Sequence, residues 1–436
     1  MDTENRWFAD WMEGHQASIR SLSRRIWNFA ETGMEETQSA QALCQALEEH
    51  GFQVERGLGG IDTAFVGRYG SGKPVIGFLG EFDALEGLSQ KAGSCVQEPV
   101  IPGGNGHGCG HNLLGCGALA AAAALKDYME QYHLPGTVCY YGCPGEEKGC
   151  GKVRMAESGY FRELDAALTW HPEDSTQVEG RGSLADLCME IQFTGTSAHA
   201  STCPHQGRSA LDALELLNIA CNFLREHMVP DARIHYAITD TGGVAPNIIP
   251  AHAAGLYEAR APQLAQAEEL RDRIVRAAQG AALMTDTEVK VIMGDCYSDF
   301  RPNHRLNQVA WEAMRRVGAP AFTSEDETLA KALQQTFPAA DSPALRRDLI
   351  PYTGVGGYLP ASTDVGNVSY LIPTLQIYTA SCAGGTPGHS WQMVSQAGGG
   401  IGEAGMFTAA RVLALTALTL LKEPSVLEDA WAEFRR

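Results

Sequence analysis

A chain of 436 residues with 44% hydrophobic content and a formal charge of −19 is too long for one ordinary core and too acidic to favour nucleic acid. The same charge gives an anionic membrane nothing to bind, and an anionic substrate would need a local cation. The twelve cysteines are scattered with no repeated CxxC spacing, so they read as buried hydrophobes or metal ligands of a reducing compartment.

The opening MDTENRWFADWMEG lacks the basic start and apolar run of an export signal, and a cytoplasmic location is expected. The windows GALAAAAALKDYM and AARVLALTALTLLK read as too short and too alanine-rich to span a bilayer. Helical periodicity covers 14–31 and 37–50, the second helix stopping at Gly51. TAFVGRYG and PVIGFLGEFDAL are strand candidates; a glycine-rich stretch and a helix over 111–131 follow. TVCYYGCPGEE reads as a strand with a polar end, then a helix near 151–160, then the strand DAALTWHPE. This alternation predicts an α/β domain with a mixed, largely parallel sheet flanked by helices, its reactive groups at the C-terminal strand ends.

Between 184 and 296 the pattern becomes β-α-β-β-α-β, from SLADLCMEIQFTG to TEVKVIMG, which predicts an inserted ferredoxin-like domain. The linkers fall at GRGS near 180 and CYSDFRPN near 300, leaving 1–183 and 297–436 as two parts of one catalytic domain. Helices near 304–317 and 323–337, a strand at VSYLIPTLQIY and a closing helix from about 395 complete the chain.

The chemistry concentrates at strand ends and in glycine-rich loops. In GGNGHGCGHNLLGCG, His107, Cys109 and His111 alternate along a backbone that glycine lets curl. Glu81 and Asp83, Glu146 and Glu147, and His171 each end a strand candidate, and His389 lies in GTPGHSWQ. Adjacent acids are usually solvated, but Glu146–Glu147 follows an apolar strand and a Pro-Gly turn. Such a pair can divide labour, one carboxylate binding a metal while the other takes a proton from water. The ligands exceed what one tetrahedral ion needs and suit two ions. One competing reading makes Cys109 a nucleophile with a histidine base, which leaves the acidic pair unexplained and no Asn or Asp clearly placed to orient the histidine. The other is a non-catalytic metal-binding protein, which would have no use for Glu146.

GHGCGHN, PGEE, TWHPE, GTSAHAS, GGVAPNIIP, YEARAP and GTPGHSW together resemble the aminoacylase/carboxypeptidase family of two-metal peptidases, metallopeptidase family 20, over essentially the whole chain. The resemblance implies Cys109, His111, Glu147, His171 and His389 as ligands of two divalent ions, manganese or zinc, with Glu146 as general base. It implies that the inserted domain is a lid and dimerisation module, in a homodimer or a heteromer with a related A-type chain. His199 of that module would stabilise the oxyanion in a partner's site, and Asn247 and Arg260 would hold the substrate's polar end. Asp83 and Asp364 are expected to support the ligands from behind. Where many members carry His-x-Asp, this chain has Glu81-Phe82-Asp83, so Cys109 and His111 are left to supply that ligation; Glu81 is either a ligand or a bystander. His107 is a turn residue or an outer support. The implied reaction is amide hydrolysis of an N-acyl amino acid, p-aminobenzoyl-glutamate first, with indoleacetyl-aspartate or small dipeptides as alternatives.

Overall fold

Strands β1 (Gln53–Arg56), β2 (Phe65–Ser71), β3 (Val75–Glu81), β4 (Gly136–Cys143), β5 (Ala166–Glu173) and β6 (Gln177–Val178) join the late strand β11 (Thr374–Ala380) in one seven-stranded sheet. Its order is β1-β2-β4-β3-β5-β11-β6. The middle four strands are parallel and the outer ones antiparallel, so the C-terminal ends of β3, β4, β5 and β11 share one edge. The computed structural model describes residues 1–339 and 342–436, and this sheet belongs to a first compact unit of Met1–Arg181, Arg301–Gly357 and Val368–Arg436.

Helices α1 (Thr3–Phe29), α2 (Thr37–Glu49), α3 (His111–Tyr132) and α4 (Gly151–Glu157) belong to the first unit. Leu113, Leu119 and Leu125 of α3 enter the same core as Phe8 and Ile26 of α1 and Phe78 of β3. A second core gathers Leu79, Tyr141, Met155 and Phe161. Helix α3 comes close to the sheet because two of its residues lack a Cβ. At Gly115 a Cβ would stand 2.6 Å from the Glu81 carbonyl oxygen, and at Gly117 it would stand 2.8 Å from the Trp170 indole nitrogen.

The second unit, Gly182–Phe300 with Tyr358–Asn367, contains β7 (Ala185–Thr194), α5 (Ala210–Leu224), β8 (Arg233–Asp240), β9 (His252–Ala261), α6 (Leu264–Thr285) and β10 (Glu288–Tyr297). Its antiparallel sheet runs β10-β7-β9-β8, the β-α-β-β-α-β order read from the sequence. Period-two alternation on β9 sends Tyr257, Ala259 and Ala261 into the core with Leu214 and Ile274, and leaves Leu256, Glu258 and Arg260 on the other face.

Several elements differ from the sequence reading. Helix α1 begins at Thr3, not near 14, because Asp2 caps it through Asn5 N–H at 3.0 Å and Phe8, Trp11 and Met12 extend its buried stripe. Strands β1 and β6 are too short and polar to show a period. Val368 and Ser369 lie in a short helix, α9 (Val365–Ser369); the strand starts only after Pro373, which has no N–H to donate. After α7 (His304–Val317) and α8 (Ser324–Leu333), the closing helix is three: α10 (Trp391–Ala397), α11 (Gly400–Lys422) and α12 (Pro424–Phe434). Helix α11 is long and apolar enough to cross a membrane, contrary to the expectation for its sequence window, yet most of it is buried among α1, α3 and the sheet. The segment 358–367 groups with the second unit, whereas the sequence assigned 297–436 wholly to the catalytic domain.

Substituting Gly115→Val should push α3 off the end of β3 and lower stability by about 1–3 kcal/mol, read by urea titration. A stability within about 0.5 kcal/mol of the parent would show that the close approach is not a constraint.

Candidate metal centre

Eight of the sequence-selected side chains converge at the C-terminal edge of the parallel strands. Glu81 ends β3 and Asp83 lies two residues beyond it. The turn after β4 carries Glu146 and Glu147, and Gly145 in it adopts φ 63°. His171 lies on β5. His389 comes from the loop after β11 with φ 52°, a left-handed conformation uncommon for a non-glycine residue. That loop is fixed to the glycine-rich segment by the His389 N–H, which donates to the Gly108 carbonyl at 3.1 Å.

Three groups of donor atoms form there, each with all members within 4.8 Å of one another: Cys109, His111 and His171; Cys109, Glu147 and His389; Glu81, His111 and Glu146. The imidazoles are oriented from behind. His111 Nδ1 is 2.8 Å from Asp83 Oδ1, and the other Asp83 oxygen accepts the Glu147 N–H at 2.9 Å. One carboxylate thus places a histidine and the following acidic turn. His171 Nδ1 is 2.8 Å from the Pro172 carbonyl, an acceptor only, so Nδ1 carries the proton and the bare Nε2 faces Cys109 Sγ at 3.2 Å. His389 Nε2 lies 3.3 Å from Glu147 Oε2.

Two atoms test whether the pocket fits metal ions. His111 Nε2 and Glu147 Oε1 are buried, 4.0 Å apart, and among the described residues neither makes a hydrogen bond, although Glu81 Oε2 lies 3.3 Å from the imidazole nitrogen. Buried polar atoms are almost always satisfied, and an imidazole nitrogen and a carboxylate oxygen aimed at the same space are what a divalent cation uses. The donor set fits.

Electrostatics agree. Burial drives the His171 pKa down to about 4, the neutral form a ligand requires. Burial also disfavours charge on His111, but the Asp83 carboxylate 2.8 Å from its Nδ1 opposes this, and the imidazole is held above its usual value. A proton there offsets the anions that a dication would otherwise balance. Burial pushes the Cys109 thiol far up, so the Cys109–His171 pair alone does not make the thiolate–imidazolium couple of a cysteine hydrolase.

His107 takes no part in these groups. It is fully buried, its Nε2 3.0 Å from the Ile26 carbonyl, and it ties the glycine-rich loop to α1. Two residues the sequence did not single out support the site. Glu36 is buried and accepts the Gly145 N–H at 2.7 Å and the Thr63 hydroxyl at 3.2 Å, fixing the acidic turn. Lys152, on α4, is completely buried and pairs with Glu81 Oε1 at 2.7 Å. Its position six residues after Glu146 is the sole signal in the sequence, and a lysine beside EEKG reads as solvated.

The remaining predicted residues lie in the second unit. His199 is exposed and its Nδ1 accepts the N–H groups of Ser201 and Thr202 at 3.2 and 3.3 Å, so the proton of the neutral ring sits on Nε2. Asn247 is beside it, its carbonyl accepting the Ala200 N–H at 2.9 Å. Arg260 is paired across strands with Asp186 at 2.8 Å and along its own strand with Glu258 at 3.1 Å. Asp364 is buried in the segment 358–367.

The family description "Peptidase family M20/M25/M40" matches residues 77–390, which holds every member of the three donor groups. The B-type chain of the p-aminobenzoyl-glutamate hydrolase of Escherichia coli is 41% identical, covering 99% of this chain and 95% of that protein. The Xaa-Arg dipeptidase of mouse is 30% identical over 96% of this chain and 89% of its own length. Among solved structures, a Bacillus subtilis protein described as a dinuclear metal binding peptidase of the M20 family superposes with a TM-score of 0.62 at 16% identity, covering 94% of this chain and 99% of that one.

Asp83→Asn should weaken metal binding about 10–100-fold with the fold retained, measured by calorimetric titration. Unchanged affinity would remove Asp83 from the site's support. His107 gives a pH signature. Its pKa of about 4 lies below the usual 6.5, so its contribution is complete above pH 6.5 and is lost as pH falls towards 4, by up to about 3 kcal/mol. His107→Gln should therefore lose less stability between pH 7 and pH 5 than the parent, and equal losses would contradict this assignment.

Proposed function

The chain belongs to peptidase family M20/M25/M40, and from that premise we propose that it hydrolyses p-aminobenzoyl-glutamate to p-aminobenzoate and glutamate. The observation that carries the reading is the division of the acidic pair. Glu147 shares a donor group with Cys109 and His389, and Glu146 is directed to the group of Glu81 and His111. Two divalent ions, manganese or zinc, held by Cys109, His111, Glu147, His171 and His389, would supply the Lewis acidity that amide hydrolysis at neutral pH requires. Glu146 takes the proton of the attacking water and returns it to the departing amine. Asp83 keeps His111 and Glu147 in place through both transfers.

The second unit supplies recognition and assembly in this reading. His199, with its free Nε2–H, is proposed to hold the oxyanion in the site of a second copy or of an A-type partner. Asn247 and Arg260 take the carboxylate end, and Arg260 is the local cation that a chain of charge −19 needs for an anionic substrate. Arg260 already holds Asp186 and Glu258, so a substrate carboxylate has to compete with them. That crowding of acids, with the likeness to a dipeptidase named for arginine, favours a second reading in which the released residue is basic. The scattered spacing of the twelve cysteines supports work in a reducing compartment, the cytoplasm.

The test is glutamate release from p-aminobenzoyl-glutamate by the metal-loaded chain, beside Glu146→Ala and a panel of N-acyl and Xaa-Arg substrates. A loss of about 10²–10⁴-fold in the variant is expected. Loss below tenfold would remove Glu146 as base, and turnover confined to Xaa-Arg substrates would select the second reading.

A further inference from the structure

Glu81 stands where the two-metal site and an unusual cation meet. Its Oε1 is 2.7 Å from Lys152 Nζ, while its Oε2 is 3.3 Å from His111 Nε2. Glu81 is 2% exposed and Lys152 is 0% exposed, so water screens neither charge. A fully buried lysine is rare and persists only with a partner held at close range. The ammonium is anchored by the start of α4, directly after the acidic turn, and occupies one side of the carboxylate. The other oxygen, Oε2, faces His111, and Glu81 shares a donor group with His111 and Glu146.

Charge gives the arrangement a purpose. Glu81, Asp83, Glu146 and Glu147 gather four carboxylates at one sheet edge, and Lys152 brings a cation to the first of them. A buried carboxylate is tolerated where an opposite charge meets it at close range.

We propose that Lys152 is a positioning residue of the metal site, holding Glu81 so that it presents a single oxygen to one of the two ions. This rests on the two-metal reading above and adds Glu81 to the side chains that touch metal. Glu81 is thus a ligand, not a bystander, and Lys152 acts through it. An acid held this way replaces the histidine that the His-x-Asp pattern would place there.

The experiment is metal counting and titration on the purified full chain with manganese and with cobalt, for the parent, Lys152→Met, and the charge-neutral double variant Lys152→Met/Glu81→Gln. Cobalt adds the visible spectrum, which reports the ligands of each ion independently of turnover. The parent is expected to hold two ions. Lys152→Met should keep one and bind the other about 10–100-fold more weakly, with a changed spectrum for that ion alone. If burying Glu81 unpaired stops that variant from folding, the double variant, which carries no buried charge at the pair, should still fold and show the same loss. Should either folded variant bind both ions within about twofold of the parent with an unaltered spectrum, the positioning role is wrong. A parent chain that holds no ion overturns the two-metal reading, and this inference with it, a failure that differs from the first because the parent itself is then empty.

Discussion

The structure is organised around one electrostatic constraint: several carboxylates, a thiol and two imidazoles are buried together at the end of a parallel sheet. Buried charge is tolerated only where opposite charge or fixed dipoles meet it. Asp83 meets His111 and a backbone N–H, Glu81 meets Lys152, and Glu36 meets the Gly145 N–H and the Thr63 hydroxyl. Within the donor groups, two buried atoms make no hydrogen bond among the described residues: His111 Nε2, 3.3 Å from Glu81 Oε2, and Glu147 Oε1. On the proposed reading, that deficit is the place of the ions.

The fold serves this constraint through backbone geometry. Parallel strands deliver Glu81, the acidic turn, His171 and the His389 loop to one edge, so four separate stretches of chain meet without long excursions. Glycine does the fine adjustment. Gly115 lets α3 approach the Glu81 backbone, which brings His111, the first residue of α3, beside the β3 end. Gly145 turns the chain so that adjacent acids diverge into different donor groups. A chain that placed the same residues on less constrained loops would lose the sub-ångström tolerance that metal ligation and proton transfer demand.

Much of this was legible in the residues. The alternation of strands and helices, the inserted β-α-β-β-α-β unit, and the strand-end positions of Glu81, Glu146, Glu147 and His171 follow from period and turn chemistry alone. The orientation of the imidazoles was not legible in the same way. His171 is set by the Pro172 carbonyl, a backbone group with no sequence signature, and Lys152 sits on a seven-residue helix too short to show which way it faces. The cross-strand pairing of Arg260 with Asp186 depends on register between strands far apart in sequence. The early start of α1 was hidden because Glu4, Asn5 and Arg6 interrupt the apolar signal before Phe8. For His171, Lys152 and Arg260 the missing information is a long-range contact or a backbone atom, neither of which a local pattern encodes.

The central claim is that the Cys109, His111, Glu147, His171 and His389 side chains enclose two ions. Anomalous diffraction from crystals of the manganese- or zinc-loaded chain tests it most directly. The account predicts two peaks about 3.5–4 Å apart among these side chains. A single peak, or peaks elsewhere on the chain, would contradict it.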